Sequence, residues 1–300
     1  MSAVVATGLG KRYGRVWALR DCSLEIPEGR VAALVGPNGA GKTTLLHLAT
    51  GLLEPSAGSI SVLGRRPDRD PSVLPLIGFM AQEVPLYRTF TAGDMLEFGR
   101  RMNPRWDEGF ARKRLERVGI RPNDRVGHLS GGQRSQVALT LALAKRPSVL
   151  LLDEPLASLD PLARREFLKA LMEGVAEDGA TVVLSSHLIS DLERVCDYLI
   201  LLSASRTQVA GEVEQLLETH RVISGPRKDG AVPAGVAAVI EQSSSERQTT
   251  MLVRTEGPIL DPAWSVQKVG LEELVLGYLG QPNATALPGP RLAPIRMEVS

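Results

Sequence analysis

The stretch GPNGAGKT, residues 36–43, directly follows the short apolar run VAALV at residues 31–35. It matches the pattern G-x-x-x-x-G-K-[ST], in which glycines let the backbone fold into a concave turn whose N–H groups point at phosphate oxygens. The apolar run is typical of a strand covered on both faces, and apolar residues recur at helical spacing over residues 43–53. A strand, a glycine turn and a helix in this order predict half of a βαβ unit with a phosphate site at its turn.

The residues of this turn have separate expected roles. We expect Lys42 to reach the β- and γ-phosphates of a nucleotide and the Thr43 hydroxyl to ligate Mg²⁺. The positive end of the following helix adds to the attraction for phosphate. The residues predicted to surround the phosphates are Gly36, Pro37, Asn38, Gly39, Ala40, Gly41, Lys42, Thr43 and Thr44.

A second chemical element lies at residues 149–154, which read VLLLDE. An apolar strand here ends in two carboxylates, and ligands of open α/β sheets bind at the carboxyl ends of strands. We expect Asp153 to hold Mg²⁺ through its water shell and Glu154 to be the general base that polarises the attacking water. A solvated strand end is the alternative, and the phosphate-binding turn favours the catalytic interpretation.

The rest of the chain predicts an α/β fold. Residues 1–30 alternate apolar and polar stretches between turn signals, which predicts antiparallel strands. Strand-like runs at 149–152, 182–186 and 198–202 alternate with helical patterns, the last of them at 188–195, which predicts a mostly parallel sheet.

Two segments depart from this alternation. Residues 85–145, approximately, carry helical patterns and are predicted to form an insert. Short strand-like runs and an amphipathic helix at 270–280 predict a small α+β extension over residues 219–280. Residues 281–300 are rich in proline and lack periodicity, which predicts a disordered tail.

Composition narrows the class of protein. The 300 residues are 43% hydrophobic and 23% charged, and 35 Lys and Arg against 34 Asp and Glu leave +1, which argues against a strongly basic nucleic-acid binder. The sequence shows no apolar run of about 18 residues and no signal peptide. Cys22 and Cys196 cannot form a disulfide framework, which fits a reducing, cytosolic setting.

Residues 129–133, LSGGQ, form another glycine turn that opens a helix. A helix N-terminus of this kind predicts a second anion site. A plain N-cap by Ser130 is the structural alternative, and the residues alone leave both interpretations open.

Taken together, GPNGAGKTT, LSGGQ and VLLLDEP resemble, in this order, the ATP-binding subunit of an ABC transporter over residues 1–217. The placement of LSGGQ about twenty residues before DEP is specific to that superfamily. The resemblance implies a P-loop NTPase core with a mostly parallel sheet, an antiparallel N-terminal β-subdomain and a helical insert, in an ATP-binding domain over residues 1–218. It also implies ATP and Mg²⁺ as ligands and ATP hydrolysis coupled to transport as the activity.

The resemblance implies roles for several isolated residues. Tyr13, in KRYG, is similar to the aromatic residue that stacks on adenine, with a core tyrosine as the alternative. Gln82, in MAQE, resembles the glutamine that contacts Mg²⁺ and water and senses the membrane subunit. Asp160 resembles the D-loop aspartate, although Ser158 stands where other members often have glycine. His187 resembles the switch histidine that contacts the γ-phosphate.

Two partners are implied by the same resemblance. Subunits of this family dimerise head to tail, so Ser130, Gly131, Gly132 and Gln133 would contact the nucleotide of a second ATP-binding subunit in a homodimer or heterodimer. A separate transmembrane permease would hold the chain at the cytoplasmic, inner face of the cell membrane. Its docking groove would be lined by Leu86, Tyr87, Phe90, Met95 and Phe98, for which core packing is the alternative.

The extension resembles that of bacterial exporter-type subunits, which favours export of a drug, antibiotic or lipid-like compound over import. A soluble ABC ATPase of translation or DNA repair is one alternative, but a second cassette and a long coiled coil are missing. A regulator without turnover is another, which the presence of Lys42, Asp153, Glu154 and His187 argues against. A GTPase is disfavoured because the sequence has no N-K-x-D motif, and we expect no nucleic-acid partner.

Overall fold

The computed structural model describes residues 1–157, 159–187, 189–226 and 232–281. The elements of the first half are β1 (Ser2–Tyr13), β2 (Val16–Pro27), β3 (Val31–Val35), α1 (Lys42–Ala49), β4 (Ala57–Val62), β5 (Ile77–Met80), α2 (Ala92–Met102), α3 (Glu108–Arg117) and α4 (Gly131–Ala144). Those of the second half are β6 (Val149–Leu152), α5 (Pro161–Asp178), β7 (Thr181–Ser186), α6 (Ile189–Leu192), β8 (Tyr198–Ser203), β9 (Arg206–Glu212), α7 (Val213–Thr219), β10 (His220–Pro226), β11 (Val236–Ser244), β12 (Gln248–Thr255), β13 (Ser265–Lys268) and α8 (Leu271–Gly280).

A central sheet has the strand order β5-β6-β7-β3-β8-β9. Strands β5, β6, β7, β3 and β8 pair in parallel, and β9 closes one edge antiparallel to β8. Every residue of β3 is buried because Ala33 and Val35 pack in the core with α4 and α5, whereas Ala32 and Leu34 pack in the core with α1. The parallel arrangement brings the carboxyl ends of β5, β6, β7 and β3 to one edge of the sheet.

A second sheet, β2-β1-β4, is antiparallel and covers α1. Leu9 and Leu24 of this sheet belong to the same buried cluster as Leu45 and Leu48 of α1. Helix α1 therefore lies between two sheets, which fixes the turn at its N-terminus. The helical insert consists of α2, α3 and α4, which bury a cluster of their own that includes Leu96, Leu115 and Val137.

The predicted fold class is confirmed: a mixed α/β P-loop cassette with a parallel sheet, antiparallel sheets and helices. The helix expected at 188–195 is shorter, at Ile189–Leu192, because the chain turns after it, with the Val195 and Cys196 amides donating to the Leu192 carbonyl. Strands β9 and β13 and helix α7 were not predicted. The expected tail lies outside the described residues beyond Gln281.

The C-terminal extension contains an antiparallel sheet, β11-β12-β10-β13, and helix α8. Helix α8 packs against α6 and α7, and Leu274 and Tyr278 of α8 share one buried cluster with Leu192 and Leu216. Gln208 of β9 donates from its side-chain amide to the Tyr278 carbonyl at 2.9 Å. The domain boundary expected between residues 218 and 219 falls in the last turn of α7. One buried cluster includes residues on both sides of this position, and the boundary stays a prediction.

A buried histidine, His220, connects helix α7 to helix α8 of the C-terminal extension. His220 Nδ1 lies 2.7 Å from the Leu216 carbonyl, and Nε2 lies 2.9 Å from the Tyr278 hydroxyl. A carbonyl only accepts, so Nδ1 carries the proton and Nε2 accepts the hydrogen bond from Tyr278. Burial lowers the pKa of His220 below its usual 6.5, and the nearby Arg254 and Arg221 lower it further.

The lowered pKa predicts a loss of stability in acid. Because the unfolded chain takes up this proton near pH 6.5 and the folded chain does not, the free energy of unfolding falls as pH drops below about 6.5 and is unaffected above it. The limiting slope is about 1.4 kcal/mol per pH unit. In urea titrations at pH 7.5 and 5.5, we expect the wild type to lose more unfolding free energy than His220→Gln, up to the limit that this slope sets. Equal losses would show that His220 does not carry the effect.

Within the described part of the chain, no helix combines the length and the apolar character that crossing a membrane requires.

Candidate nucleotide site

The phosphate loop, residues 36–43, connects β3 to α1. Gly41 has a φ of 103°, and a Cβ at this position would lie 2.6 Å from the Ala18 carbonyl oxygen, so only glycine fits between the loop and β2. The Ala40 amide donates to the Pro37 carbonyl, which closes the turn. The exposed Thr43 lies in the first turn of α1, where the backbone N–H groups have no partners within the helix. The loop is therefore a concave, positively polarised cradle.

The Lys42 side chain folds back into this cradle and is only 5% exposed. Its Nζ donates to the Gly36 carbonyl at 2.8 Å and lies 3.3 Å from Glu154 Oε1. A buried ammonium needs such partners, because burying an unpaired charge costs several kcal/mol. The lysine is thus held at the place where an anionic phosphate would enter, with a carboxylate balancing its charge.

Glu154 has an unusual backbone that is fixed by a neighbouring strand. Its φ is 43°, a left-handed value that is uncommon outside glycine. Its amide donates to Ser185 Oγ at 2.7 Å, and the Ser185 hydroxyl donates to Asp153 Oδ1 at 2.8 Å. One serine of β7 therefore holds the backbone of Glu154 and the carboxylate of Asp153, which is almost fully buried.

His187 completes this group of side chains. Its Nδ1 lies 2.9 Å from Glu154 Oε2, and its ring is 48% exposed. Lys42, Asp153, Glu154 and His187 follow three neighbouring strands, β3, β6 and β7, which explains why they meet. Ser185 is the site residue that the sequence analysis missed, because only the fold places β7 beside β6.

Two expected site residues lie at the periphery. Gln82 is exposed and follows β5, whose carboxyl end is next to that of β6. Tyr13 ends β1, is 51% exposed, and has the Lys11 ammonium 5.7 Å from its ring centroid. Its exposure excludes the core-tyrosine alternative.

The LSGGQ turn, residues 129–133, opens α4, which packs in different buried clusters from α1. It forms a capping box: the Gln133 amide donates to Ser130 Oγ at 3.2 Å, and Gln133 Oε1 accepts from the Ser130 amide at 3.0 Å. Gly131 has open space around it. Asp160 caps α5 by accepting from the Ala163 amide at 2.9 Å. The N-cap interpretation holds for the chain, while contacts to a partner's nucleotide stay a prediction.

The donor set around the cradle fits a nucleotide with Mg²⁺. The Thr43 hydroxyl, the Asp153 carboxylate and, from the periphery, the Gln82 side-chain carbonyl carry oxygen atoms, and oxygen is the ligand that Mg²⁺ prefers. The loop amides and Lys42 suit phosphate oxygens. The fold and this site define the class: a P-loop nucleotide-binding cassette.

The family model described as ABC transporter matches residues 19–157. YxlF of Bacillus subtilis (strain 168), an uncharacterized ABC transporter ATP-binding protein, is 34% identical over 224 residues, covering 71% of this chain and 72% of the relative. Nod factor export ATP-binding protein I of Rhizobium johnstonii is 36% identical, covering 72% and 71% respectively. The chain belongs to the ABC transporter ATP-binding proteins and is an ATPase of that family.

Other similar proteins differ in the direction of transport. Lantibiotic transport ATP-binding protein SrtF of Streptococcus pyogenes is 35% identical, covering 64% of this chain and 82% of the relative. Sulfate/thiosulfate import ATP-binding protein CysA of Synechocystis sp. is 34% identical, covering 72% and 62% respectively.

Solved structures show the same cassette. An ATP-binding subunit of an ABC transporter superposes with a TM-score of 0.65 at 27% identity, covering 72% of this chain and 92% of that one. A bacterial ABC transporter cassette solved as a dimer gives 0.64 at 26%, covering 70% and 98%.

Ser185 is expected to matter for both stability and turnover. Ser185→Ala leaves the Glu154 amide and Asp153 Oδ1 without a partner that the wild type provides, which costs about 1–3 kcal/mol in unfolding free energy. We expect a lower ATPase rate as well, because the Asp153 carboxylate and the Glu154 backbone both lose the hydrogen bond that fixes them. Urea titration and steady-state ATPase assays test this, with Ser190→Ala, an exposed serine on α6, as the control. A variant indistinguishable from that control would contradict the role.

Proposed function

We propose that the chain is the ATP-binding and ATP-hydrolysing subunit of an ABC exporter, in which it powers a separate transmembrane permease. The observation that carries the proposal is the group at the strand ends, where Glu154 contacts both Lys42 and His187. A charge-neutralising lysine and a carboxylate held by fixed partners are the parts that phosphoryl transfer to water needs. Tyr13, exposed at the end of β1, is assigned to the adenine base.

Each side chain has one task in hydrolysis. Lys42 exchanges Glu154 for phosphate oxygens, which releases the carboxylate to accept a proton from the attacking water. His187 keeps that carboxylate oriented, and Ser185 fixes the backbone that carries it. Thr43, Asp153 and Gln82 would hold Mg²⁺, which would supply charge neutralisation.

The second half-site is proposed to come from another ATP-binding subunit. The open surroundings of Gly131 and the free amide ends of α4 suit an anion that approaches from outside the chain. The dimeric state of a similar cassette supports this arrangement. Ser130, Gly131, Gly132, Gln133 and Asp160 would then act on the partner's nucleotide.

A groove beside Gln82 is proposed as the permease contact. It has a volume of about 530 Å³ and is lined by apolar residues that include Leu86, Tyr87, Met95 and Phe98. Tyr87 and Phe98 are exposed and stack edge to face at 5.9 Å, whereas Met95 is core. An amphipathic helix is the usual occupant of such a groove. Docking there would hold the chain at the inner face of the cell membrane.

Export is favoured over import by two similarities. The Nod factor and lantibiotic relatives are named for export and transport, and the extension after residue 219 resembles that of exporter-type subunits. The similarity to CysA is the observation on the other side. The proposed cargo class is a drug, antibiotic or lipid-like compound.

Copurification tests the proposal. The tagged chain, extracted from membranes in mild detergent, should bring down a transmembrane protein, and inverted membrane vesicles from those cells should accumulate cargo when given ATP. Tyr87→Glu should lose the membrane protein while still binding ATP, whereas Leu260→Glu, an exposed residue outside the groove, should retain it. Association with ribosomes or DNA instead would contradict the proposal.

A further inference from the structure

A buried arginine joins three helices beside the LSGGQ turn. Arg114 of α3 is 8% exposed, and its guanidinium reaches α4 and α5. Nε donates to Thr140 Oγ1 at 3.0 Å, Nη2 donates to Gln136 Oε1 at 2.9 Å, and Nη1 donates to the Ala170 carbonyl at 3.4 Å. The Arg114 side chain of α3 therefore connects α4 and α5 through hydrogen bonds.

All three partners are neutral oxygens. Burial, with a smaller contribution from Arg117, lowers the pKa of Arg114 to about 10 against the opposing effect of Glu173, so the group keeps its charge at neutral pH. Burying a charge is costly, and apolar residues of similar volume often stabilise a fold as well or better. A buried guanidinium with a planar fork is thus better explained by the geometry that it imposes than by stability.

The partners on α4 form a chain that leads toward the LSGGQ turn. Thr140 receives the bond from Arg114 and donates its own hydroxyl to the Gln136 carbonyl at 2.7 Å. Both side chains are buried. Gln136 lies one helical turn beyond Gln133, which forms the capping box with Ser130. A displacement of the Arg114 guanidinium would therefore displace the first turn of α4.

The other attachment is to α5, whose N-terminus touches that of α4. A Cβ at Gly132 would lie 3.5 Å from Ala163 Cβ and 3.9 Å from Leu159 Cδ2. Ala163 is also the residue whose amide Asp160 caps. The helices α4 and α5 therefore contact each other at their N-termini, and Arg114 connects them a second time further along. Contacts at two positions fix the angle between the two helix axes.

We propose that Arg114 is a positioning residue that sets α4 against α5 and so presents the LSGGQ turn and Asp160 to the nucleotide of a second subunit. This inference rests on the split site of the proposed function. The proposed role of Arg114 concerns the LSGGQ half of the site, and the phosphate loop of the same chain does not depend on Arg114.

Arg114→Met removes the fork while keeping an apolar body of similar length. We expect kcat for ATP to fall at least about tenfold, since small displacements of positioned groups have large effects on rate. The affinity of the isolated subunit for ATP and its thermal midpoint should stay near wild type. Arg114→Lys, which keeps the charge but not the fork, should recover part of the rate. Arg117→Met, which removes the exposed α3–α5 ion pair with Glu173, is the matched control and should behave as wild type.

Mixed dimers assign the defect to one half-site. Full-length Arg114→Met mixed with Lys42→Ala should recover activity, because its phosphate loop meets an intact LSGGQ turn. Mixed with Ser130→Arg it should not, because both chains then lack that half. Recovery with Ser130→Arg, recovery with neither partner, or an unchanged kcat would overturn the positioning role.

Lys42→Ala mixed with Ser130→Arg is the internal reference. If that pair recovers activity, a failure of Arg114→Met counts against Arg114 alone. If it does not, the split site itself is contradicted, and the positioning role defined on it is contradicted too. Should Arg114→Met fail to fold, the same mixtures with Arg114→Lys give the answer from its smaller rate defect.

Discussion

Glu154→Gln is expected to lower the ATPase rate by about 100-fold or more, the usual contribution of a general base. The glutamine keeps the size of the side chain and a carbonyl oxygen for Lys42, which lies 3.3 Å from Oε1 in the wild type. Nucleotide binding should therefore survive, and the variant should accumulate as an ATP-bound dimer. Steady-state ATPase assays and size-exclusion chromatography with ATP measure the two effects.

The control for this variant is Glu166→Gln, an exposed carboxylate on α5. It should leave both rate and oligomeric state unchanged. A Glu154→Gln protein that hydrolyses ATP at the normal rate would show that another group takes the proton.

Lys42→Ala is expected to differ from Glu154→Gln, because it should weaken the binding of ATP as well as its hydrolysis. Removing a charged contact to phosphate costs about 1.5–3 kcal/mol, or roughly 10- to 100-fold in affinity. The turnover should fall by a comparable factor or more, since lysine also stabilises the charge that develops during transfer. Fluorescent-nucleotide titration and ATPase assays test this, and no ATP-dependent dimer should form.

Lys169→Ala, an exposed lysine on α5, is the comparison for charge alone. If Lys42→Ala binds ATP and turns over as that comparison does, the position of Lys42 in the cradle has no role in phosphate binding. The contrast between a variant that binds and cannot hydrolyse and one that cannot bind separates the two functions of the site.

The strand-end residues were predictable because a motif placed each of them after an apolar run. Parallel strands put their carboxyl ends at one edge, so Lys42, Asp153, Glu154 and His187 had to approach one another. Their partners were not predictable. Ser185 lies near the end of the run VVLSS, and its two hydrogen bonds depend on the order β6-β7, which the sequence does not encode locally.

Long-range packing explains why the sequence did not reveal the burial of Arg114 or the packing of the extension. Arg114 lies in a helix dense in charges, where an arginine normally faces water, and only the meeting of α3, α4 and α5 buries it. The extension was predicted from its change in composition, and its boundary at residues 218/219 stays a prediction. Composition could not show that helix α8 shares a core with α6 and α7, or that His220 contacts the Leu216 carbonyl across that position.

The claim that nucleotide is held between two copies is tested most directly by a structure of the Glu154→Gln chain with ATP and Mg²⁺. The account predicts a dimer in which each triphosphate lies between Lys42 of one chain and Ser130 of the other. A triphosphate enclosed by a single chain, with no Ser130 near it, would contradict it.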